Sequence, residues 1–268
     1  MVLAGACFAA QTVSACGTAI TTSGTWILSQ NLTCSGAGVD IQVGNVTLKL
    51  NGFTIAGPGA NSGANGVLVA SSAGVGVKKV TILGPGTIAD FQNGITFQGT
   101  NGGGAVDVTF SGNLFGIFLT ADSLSASPAN LLLSQNSLQG GLDGINGQLN
   151  NSTIAGNSCS SVGDCINLAA SSGNRVIGNV GDGNSDAGIV VGAAISGNAS
   201  SGNTLEGNHT SNNHFYGIFL GPTASGNHLI GNVAFANRFL DINEFSSHCG
   251  TDSFQSDVFG TASQSCVK

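Results

Sequence analysis

Short apolar runs alternate with turn residues along nearly the whole chain. Nine times, a glycine or a residue in its place is followed by three residues in the alternating apolar pattern of a β-strand, such as Ile-Phe-Leu. These trios recur at spacings of 21 to 29 residues. The residues that precede these trios are Gly38, Gly66, Gly94, Gly116, Gly144, Cys165, Gly188, Gly217 and Asp241. Further β-rich runs lie between the trios, and helical periodicity appears nowhere at length. Two or three short strands in each period of about 22 residues predict one rung of a parallel β-solenoid, in which each rung buries its inward side chains on the next.

Asparagines recur at two fixed phases of this period. One column comprises Asn136, Asn157, Asn179, Asn208 and Asn232, and the second comprises Asn113, Asn184, Asn213 and Asn237. Stacked at about 4.8 Å per rung, asparagine side chains can hydrogen-bond up and down a ladder. A glycine before the asparagine supplies the positive φ of a tight bend. We therefore interpret these asparagines as structural.

Composition narrows the class of protein and of partner. The 268 residues are 41% hydrophobic, enough for a core, but only 7% charged, with 43 glycines that lack the collagen period. The net charge of -7 gives nucleic acid, anionic membranes and polyanions no electrostatic attraction, so a neutral or cationic partner is favoured. Beyond the first residues, no run approaches the roughly 18 apolar residues of a membrane span.

The first fifteen residues, MVLAGACFAAQTVSA, are apolar and uncharged and end in small residues spaced as a signal peptidase prefers. We predict that residues 1–15 are a clipped secretion signal. The positive n-region is absent, which leaves an ordinary apolar cap as the alternative.

Cysteine usage agrees with export. Removing Cys7 leaves an even set that falls into three pairs close in sequence, namely Cys16 with Cys34, Cys159 with Cys165, and Cys249 with Cys266. The alternatives are reduced, buried cysteines in a cytosolic protein, or lipidation of Cys16, which would leave its partner unpaired. No Cys-x-x-Cys or nearby Cys/His quartet points to zinc, and we predict no metal and no cofactor.

Four stretches carry a resemblance to a known family. They are the opening segment 16–34 (CGTAITTSGTWILSQNLTC), the entry rung 46–57 (VTLKLNGFTIAG), the Asn-x-Leu-x-Gly-Asn rungs, and the closing segment 249–266 (CGTDSFQSDVFGTASQSC). From Cys16 to Lys268 the chain resembles secreted bacterial right-handed parallel β-helix proteins of the pectate-lyase-like superfamily. The resemblance implies export and a solenoid whose ends are covered by disulfide-pinned caps. It does not fix an activity, because members of that superfamily include lyases, hydrolases, epimerases and proteins without known activity.

The catalytic signatures of that superfamily are missing. The Asn-Thr-Asp, Asp-Asp, Gly-His-Gly and Arg-Ile-Lys motifs of polygalacturonase-like members do not occur, nor does the Asp-Pro-His-Asp of alginate epimerases. With two arginines and four lysines, the chain also offers few candidates for the base of a calcium-dependent pectate lyase.

One constellation of ionisable residues remains. When the rungs are aligned on their trios, seven ionisable residues fall on or near one stripe just before the trio strand: Asp143, Asp164, Asp186, His214, Tyr216, Arg238 and Asp241. Same-phase side chains on neighbouring rungs lie about 5 Å apart, so His214 should lie near Arg238, and stacked aspartates could raise a pKa for general acid catalysis. The alternative is that turn-adjacent positions simply tolerate polar groups in a solenoid.

Substrate contacts are assigned to two residues of this region, Tyr216 and Asn213. Tyr216 is the candidate for a sugar-stacking shelf. The phenylalanines recur at strand positions and are expected in the stacked core: Phe97, Phe118, Phe215, Phe219 and Phe239.

The sequence therefore predicts a single all-β domain, a right-handed parallel β-helix of about nine to ten rungs over residues 16–268. The expected divisions are an N-terminal cap at 16–38, rungs at 39–245 and a C-terminal cap at 246–268. The function hypothesis is binding or processing of an extracellular, neutral polysaccharide by a hydrolase or lyase that is secreted, periplasmic or on the cell surface. The catalytic candidates are Asp143, Asp164, Asp186, His214, Arg238 and Asp241. The alternative is a non-catalytic surface, adhesive or self-assembling protein.

Overall fold

All nine apolar trios form strands, and these strands belong to one parallel sheet. The structure, a computed structural model, describes residues 11–124, 126–192, 199–246 and 249–267. Its strands, in chain order, are β1 (Gln11–Val13), β2 (Thr18–Ile20), β3 (Gly24–Leu28), β4 (Leu32–Thr33), β5 (Val39–Ile41), β6 (Val46–Lys49), β7 (Thr54–Ala56), β8 (Asn65–Val69), β9 (Lys78–Leu83), β10 (Thr87–Ala89), β11 (Asn93–Gln98), β12 (Asn101–Val106), β13 (Thr109–Ser111), β14 (Phe115–Thr120), β15 (Ala129–Ser134), β16 (Ser137–Gln139), β17 (Asp143–Gly147), β18 (Thr153–Ala155), β19 (Ser158–Ser160), β20 (Asp164–Leu168), β21 (Arg175–Ile177), β22 (Val180–Gly181), β23 (Ala187–Val191), β24 (Ser200–Ser201), β25 (Thr204–Glu206), β26 (Tyr216–Leu220), β27 (Ala224–Ser225), β28 (His228–Ile230), β29 (Val233–Ala234), β30 (Leu240–Glu244), β31 (Ser253–Gln255) and β32 (Val258–Phe259).

The strands assemble into three long sheets that run the length of a parallel β-solenoid. An eleven-stranded sheet has the order β1-β3-β6-β9-β12-β15-β18-β21-β25-β28-β31. A ten-stranded sheet has the order β2-β5-β8-β11-β14-β17-β20-β23-β26-β30, and a seven-stranded sheet has the order β22-β19-β16-β13-β10-β7-β4. Each turn of the chain contributes one strand to the ten-stranded sheet, which gives about ten turns. The predicted fold class is confirmed.

The core is a continuous stack of apolar side chains from successive turns. In the ten-stranded sheet, Val67 is followed in register by Ile95, Ile117, Ile145, Ile166, Ile189, Ile218 and Ile242, all with no exposed surface. Seven of the nine trios open with a glycine, at which the next turn of the chain approaches closely. A Cβ on Gly116, for example, would lie 2.7 Å from the carbonyl oxygen of Gly144.

The first predicted asparagine column forms a buried ladder, and the second does so in part. In the first, the Nδ2 group of each asparagine donates to the Oδ1 atom of the next at 2.9 to 3.0 Å, from Asn136 through to Asn232. In the second, Asn213 donates to Asn237 in the same way. Asn184 is linked to Asn213 through its backbone N–H, whereas Asn113 accepts from the Phe91 N–H and donates to the Ile88 carbonyl instead. The residue before each ladder asparagine has a left-handed backbone, as at Gly207 (φ 58°). The same side chains also pair backbone groups that the turns would otherwise bury unpaired: Asn157 accepts from the Asn136 N–H and donates to the Leu133 carbonyl.

A third ladder was not predicted from the sequence. Asn174, Asn203 and Asn227 are buried and linked by the same side-chain hydrogen bonds at 2.9 Å. Each of the three ladders ends on an aspartate near the C-terminus: Asp241, Asp252 and Asp257 accept the last asparagine's N–H groups. A carboxylate only accepts hydrogen bonds, so it suits the end of a ladder whose donors all point one way.

Three disulfides form with the predicted pairing. Cys16–Cys34 lies in the first turns, Cys159–Cys165 ties the bend before β20, and Cys249–Cys266 closes the C-terminal segment. The bend held by Cys159–Cys165 leads directly into Asp164, so this disulfide helps to position that residue.

The predicted secretion signal is only partly covered. Residues 1–10, including Cys7, lie outside the described residues. Gln11–Val13 forms β1, which pairs with Trp26–Leu28, and Val13 is buried. Cleavage after Ala15 stays a prediction, as do the cap boundaries, and cleavage would make β3 the terminal strand of its sheet.

Candidate functional site

The outer side of the ten-stranded sheet carries two adjacent columns of side chains. The first column contains Asn93, Phe115, Asp143, Asp164, Ala187, Tyr216 and Leu240, and the second contains Thr96, Phe118, Asn146, Asn167, Val190, Phe219 and Asn243. The columns touch at several strands, through ring contacts or side-chain hydrogen bonds. We call this pair of columns the outer strip.

Asp143 and Asp164 are direct neighbours in the outer strip, on β17 and β20. Oδ1 of Asp143 accepts a hydrogen bond from the backbone N–H of Asp164 at 3.0 Å, and Oδ1 of Asp164 accepts one from the Ala187 N–H at 3.1 Å. Their second carboxyl oxygens accept from the neighbouring column, Asp143 from Asn146 and Asp164 from Asn167, the latter at 2.8 Å. Two Asp-x-Ile-Asn segments thus build a stacked carboxyl pair, Asp143 and Asp164, which we call the acid pair.

Burial controls the charge of the acid pair. The two side chains are only 6% and 7% exposed, which disfavours their ionised forms. Burial raises the pKa of Asp164 to about 7, and the charges of Asp143 and Asp186 add to the rise. Burial also raises the pKa of Asp143, although hydrogen bonds from the Asp164 N–H and from Asn146 oppose it. Near neutral pH, Asp164 therefore shifts between a carboxylic acid and a carboxylate.

Aromatic side chains flank the acid pair along the outer strip. On one side, the rings of Phe115 and Phe118 lie 5.3 Å apart. On the other side, Tyr216 and Phe219 stack with their ring centroids 5.2 Å apart. All four side chains are half-buried, so each ring keeps some surface for a ligand.

A depression of about 560 Å³ lies at the bends that lead into β20, β23, β26 and β30, and its lining includes neither Asp143 nor Asp164. Its lining includes Ser161, Asn184, Ser185, Asn212, His214 and Arg238. As predicted, His214 and Arg238 are close, with Arg238 Nη1 2.9 Å from His214 Nε2. The ion pairs among the described residues, Arg175–Glu206 and His209–Asp182, do not include Arg238.

The remaining predicted site residues are not part of the acid pair. Asp186 is exposed and lies one residue before Ala187, the outer-strip residue of β23. Its carbonyl accepts a hydrogen bond from the Phe215 N–H, so Asp186 aligns with Phe215 and not with Tyr216. Asp241 is 2% exposed and its oxygens accept hydrogen bonds from Asn237, Gly260 and Thr261. Those bonds hold the pKa of Asp241 below its usual value despite its burial.

Asn213 is also structural. Its side chain is 2% exposed, donates to Asn237 and to the Gly181 carbonyl, and accepts from the Asn184 N–H. Although Asn213 lines the depression, every polar atom of its side chain is occupied by the ladder.

The expectation that the phenylalanines form the core is wrong for most of them. Phe97 is buried, but Phe118 and Phe219 lie on the outer strip, and Phe215 and Phe239 are 36% and 59% exposed. The rings of Phe215 and Phe239 stack at 5.3 Å beside Tyr216. Phe118 and Phe219 are the middle residues of Ile-Phe-Leu trios whose first and last residues are buried, so alternation along the strand turns them outward. Phe215 and Phe239 precede β26 and β30 by one residue and lie at the bends.

Sequence reasoning missed Phe115, Asn146 and Asn167 as parts of the site. The signal for the asparagines is the repeat of Asp-Gly-Ile-Asn at 143–146 by Asp-Cys-Ile-Asn at 164–167. The ladder ends at Asp252 and Asp257 carry a similar signal, because 252–257 (DSFQSD) follows the pattern of 227–232 (NHLIGN) with aspartate in place of asparagine.

Comparison with known proteins gives one family and several structural neighbours. The family model described as "Periplasmic copper-binding protein (NosD)" matches residues 16–199, more than half of the chain. The chain belongs to the NosD family. No curated protein matches this chain significantly. The family description and the three disulfides agree on an oxidising location outside the cytoplasm.

Solved structures share the fold at low sequence identity. The Dettilon tailspike protein (gp208) matches with a TM-score of 0.58 and 15% identity over 93% of this chain and 51% of its own. A variant tailspike protein of E. coli bacteriophage HK620, in complex with a pentasaccharide, matches with a TM-score of 0.56 and 13% identity over 90% and 49%. A variant of the periplasmic alginate epimerase AlgG gives 0.50 and 16% over 93% and 73%. The chain thus spans about half the length of the tailspikes.

The described residues do not fit the copper centre that the NosD family description implies. They contain no group of three or more His, Cys, Asp or Glu side chains placed so that they could hold a metal ion. His209 faces Asp182, His214 faces Arg238, and all six described cysteines are in disulfides. The one methionine, Met1, and His248 lie outside the described residues. The same part of the chain contains no helix long and apolar enough to cross a membrane.

Proposed function

We propose that the protein binds an extracellular polysaccharide along the outer strip and hydrolyses it at the acid pair. The observation that carries this proposal is the acid pair itself: two stacked carboxyl groups, one with a pKa of about 7, on the outer face of a sheet and flanked by aromatic rings. Paired carboxyl groups of this kind perform glycoside hydrolysis. The pentasaccharide bound by a tailspike of the same fold supports a glycan as the partner.

In the proposed mechanism, Asp164 is the general acid and Asp143 the nucleophile. Neighbouring strands are about 4.8 Å apart, close to the carboxyl separation of about 5 to 5.5 Å in retaining glycosidases. Asp164 would protonate the glycosidic oxygen while a carboxylate oxygen of Asp143 bonds to the anomeric carbon and the leaving sugar departs. Water would then cleave the glycosyl ester, with Asp164 accepting its proton and returning to the acid form.

Charge and compartment refine the proposal. Because the net charge is -7, a neutral glycan avoids the long-range repulsion that a polyanion would meet. We place the activity in the periplasm, at the cell surface or outside the cell. Elimination, the lyase alternative, would use His214 as the base beside Arg238, and it would release an unsaturated sugar that hydrolysis does not produce.

The proposal is tested with the purified protein and a panel of neutral and acidic polysaccharides, scored for binding, new reducing ends and unsaturated products. Asn167→Arg puts a bulky charge on the outer strip and should abolish binding. Leu132→Arg, on the exposed side of the eleven-stranded sheet, is the matched control and should bind as the wild type does. If the Asn167→Arg variant binds the glycan and the Leu132→Arg variant does not, the binding face is the eleven-stranded sheet and the proposal is wrong.

An exposed aromatic patch favours a second candidate, a non-catalytic surface or self-assembling protein. Phe215 and Phe239 are stacked and exposed next to the outer strip, and aromatic side chains are enriched in protein interfaces. This candidate predicts no turnover of any glycan and an apparent mass that rises with concentration in size-exclusion chromatography. Phe239→Ser would then restore the monomer.

A further inference from the structure

The aromatic pairs stand at equal distances from Asp164. Phe115 and Phe118 are on β14, two strands before β20, and Tyr216 and Phe219 are on β26, two strands after it. With strands about 4.8 Å apart, the two pairs are separated by about 19 Å. They therefore form two aromatic shelves, an N-terminal shelf (Phe115 and Phe118) and a C-terminal shelf (Tyr216 and Phe219), with the acid in the middle.

The surface between the two shelves is made of side chains smaller than the aromatic rings, and it is polar on β17 and β20 and apolar on β23. Asp143 and Asp164, with their asparagine partners, occupy two of the three intervening strands, and the small residues Ala187 and Val190 occupy the third. Aromatic side chains are larger than all of these, so the outer strip forms a trough bounded at both ends by rings. Its long dimension runs across the strands, parallel to the solenoid axis.

From this spacing we infer that the ligand is a linear glycan segment of about four to five sugar units, lying parallel to the solenoid axis with its ends stacked on the two shelves. The inference rests on the proposed function and goes beyond it by fixing the length and direction of the ligand. An extended glycan advances by about one strand spacing per sugar unit, so a chain of two or three units can reach only one shelf. Because the acid pair lies on β17 and β20, cleavage should leave about two units on the N-terminal shelf and about two to three on the C-terminal shelf.

The test uses oligosaccharides of two to six units from cellulose, laminarin, xylan, mannan and alginate, with binding measured by calorimetry. In the series that binds, affinity should rise steeply between three and five units and then level off. Phe118→Ala and Phe219→Ala should each weaken binding of the hexasaccharide by roughly five- to tenfold, and the double variant by about the product. Phe235→Ala, at an exposed aromatic residue outside the outer strip, is the matched control and should have no effect.

Chain length provides the decisive contrast. For a disaccharide, which reaches one shelf only, the double variant should lose no more affinity than the more damaging single variant. Two results overturn this inference and leave the proposed function standing. One is equal affinity for the disaccharide and the hexasaccharide, and the other is hexasaccharide affinity that is unchanged by Phe118→Ala or by Phe219→Ala. Failure of every series and of every polysaccharide to bind overturns both the inference and the proposed function.

Discussion

At the scale of single residues, Asp164 links stability to function. Its pKa is raised to about 7, so the folded protein holds a proton there that the unfolded chain releases near pH 4. Stability should therefore fall as pH rises from about 4 to 7, because in that range the folded state binds more protons. A neutral side chain of the same shape removes the contribution of Asp164 to this dependence, whereas Glu244, whose pKa burial also raises to about 7, keeps its own contribution.

We expect Asp164→Asn to raise the free energy of unfolding at pH 8 by roughly 1 to 3 kcal/mol, and to change it little at pH 4. Urea denaturation at the two pH values measures this difference. Asp107→Asn, at an exposed position, is the control and should behave like the wild type at both. A variant that is less stable at pH 8 than the wild type would show that Asp164 is ionised and held by its hydrogen bonds.

Asp241 should show the opposite behaviour. Its carboxylate accepts hydrogen bonds from Asn237, Gly260 and Thr261, so removing it leaves several buried donors unpaired. We expect Asp241→Ala to cost roughly 3 to 5 kcal/mol of unfolding free energy. Below its melting temperature the variant should still bind the same glycans, which calorimetry measures. Loss of binding with unchanged stability would return Asp241 to the site.

The residue scale is also where prediction from sequence was least complete. The phase of the repeat was enough to stack Asp143 on Asp164 and to bring His214 to Arg238. The phenylalanines were placed by their apolar character and their strand positions, and the alternation of sides within each Ile-Phe-Leu trio was left out. Phe118 and Phe219 were therefore assigned to the core, although they lie on the outer strip.

At the scale of elements, the asparagine ladders stabilise the turns between strands, because their side chains pair backbone groups on neighbouring turns of the solenoid. Asn208 is fully buried, donates to Asn232 and Val176, and accepts from Asn179. We expect Asn208→Ala to destabilise the protein by roughly 3 to 5 kcal/mol, because buried amide and carbonyl groups on both neighbouring turns lose partners. Chemical denaturation measures the loss.

The matched control is Asn243→Ala, at a half-exposed asparagine of the outer strip on β30. It should change the unfolding free energy by less than about 0.5 kcal/mol. Equal effects of the two substitutions would mean that the Asn208 ladder contributes nothing specific.

Element prediction worked where the repeat was regular. Nine trios gave nine strands, the first predicted asparagine column became a ladder, and the second did so without Asn113. The third ladder was missed because its column begins with a serine: Ser152 accepts from the Leu131 N–H one turn before Asn174. A column that changes residue type is not visible as a repeat, although its hydrogen bonding is continuous.

At the scale of the whole molecule, the disulfides hold the turns near the two ends and at the acid pair. The C-terminal disulfide joins cysteines 17 residues apart, and the central one joins cysteines 6 apart. Loop closure predicts about 3 kcal/mol of stabilisation for a loop of the longer length and about 2 kcal/mol for the shorter. The double variant Cys249→Ala/Cys266→Ala should therefore lower the unfolding free energy more than Cys159→Ala/Cys165→Ala does. Alanine is used because Cys159 and Cys165 are buried, and serine would add buried hydroxyl groups.

Glycan turnover should show the reverse order for the two disulfides. The central disulfide ties the bend that leads into Asp164, whereas the C-terminal one is remote from the acid pair. The Cys159→Ala/Cys165→Ala variant should lose more turnover than Cys249→Ala/Cys266→Ala does, although it loses less unfolding free energy. Equal loss of turnover in both variants would indicate that global stability, and not the position of Asp164, limits activity.

The measurement that tests the central claim most directly is turnover of a bound glycan by Asp164→Asn across the pH range. The wild type should lose turnover as pH rises through about 7, the pKa of its proton donor. Asp164→Asn should bind the glycan within about threefold of the wild type and turn it over at least about 100-fold more slowly at every pH. Asp143→Asn should bind equally well and also fail to turn it over. Wild-type turnover by Asp164→Asn would contradict the account, because the outer strip would then bind a glycan without the acid pair acting on it.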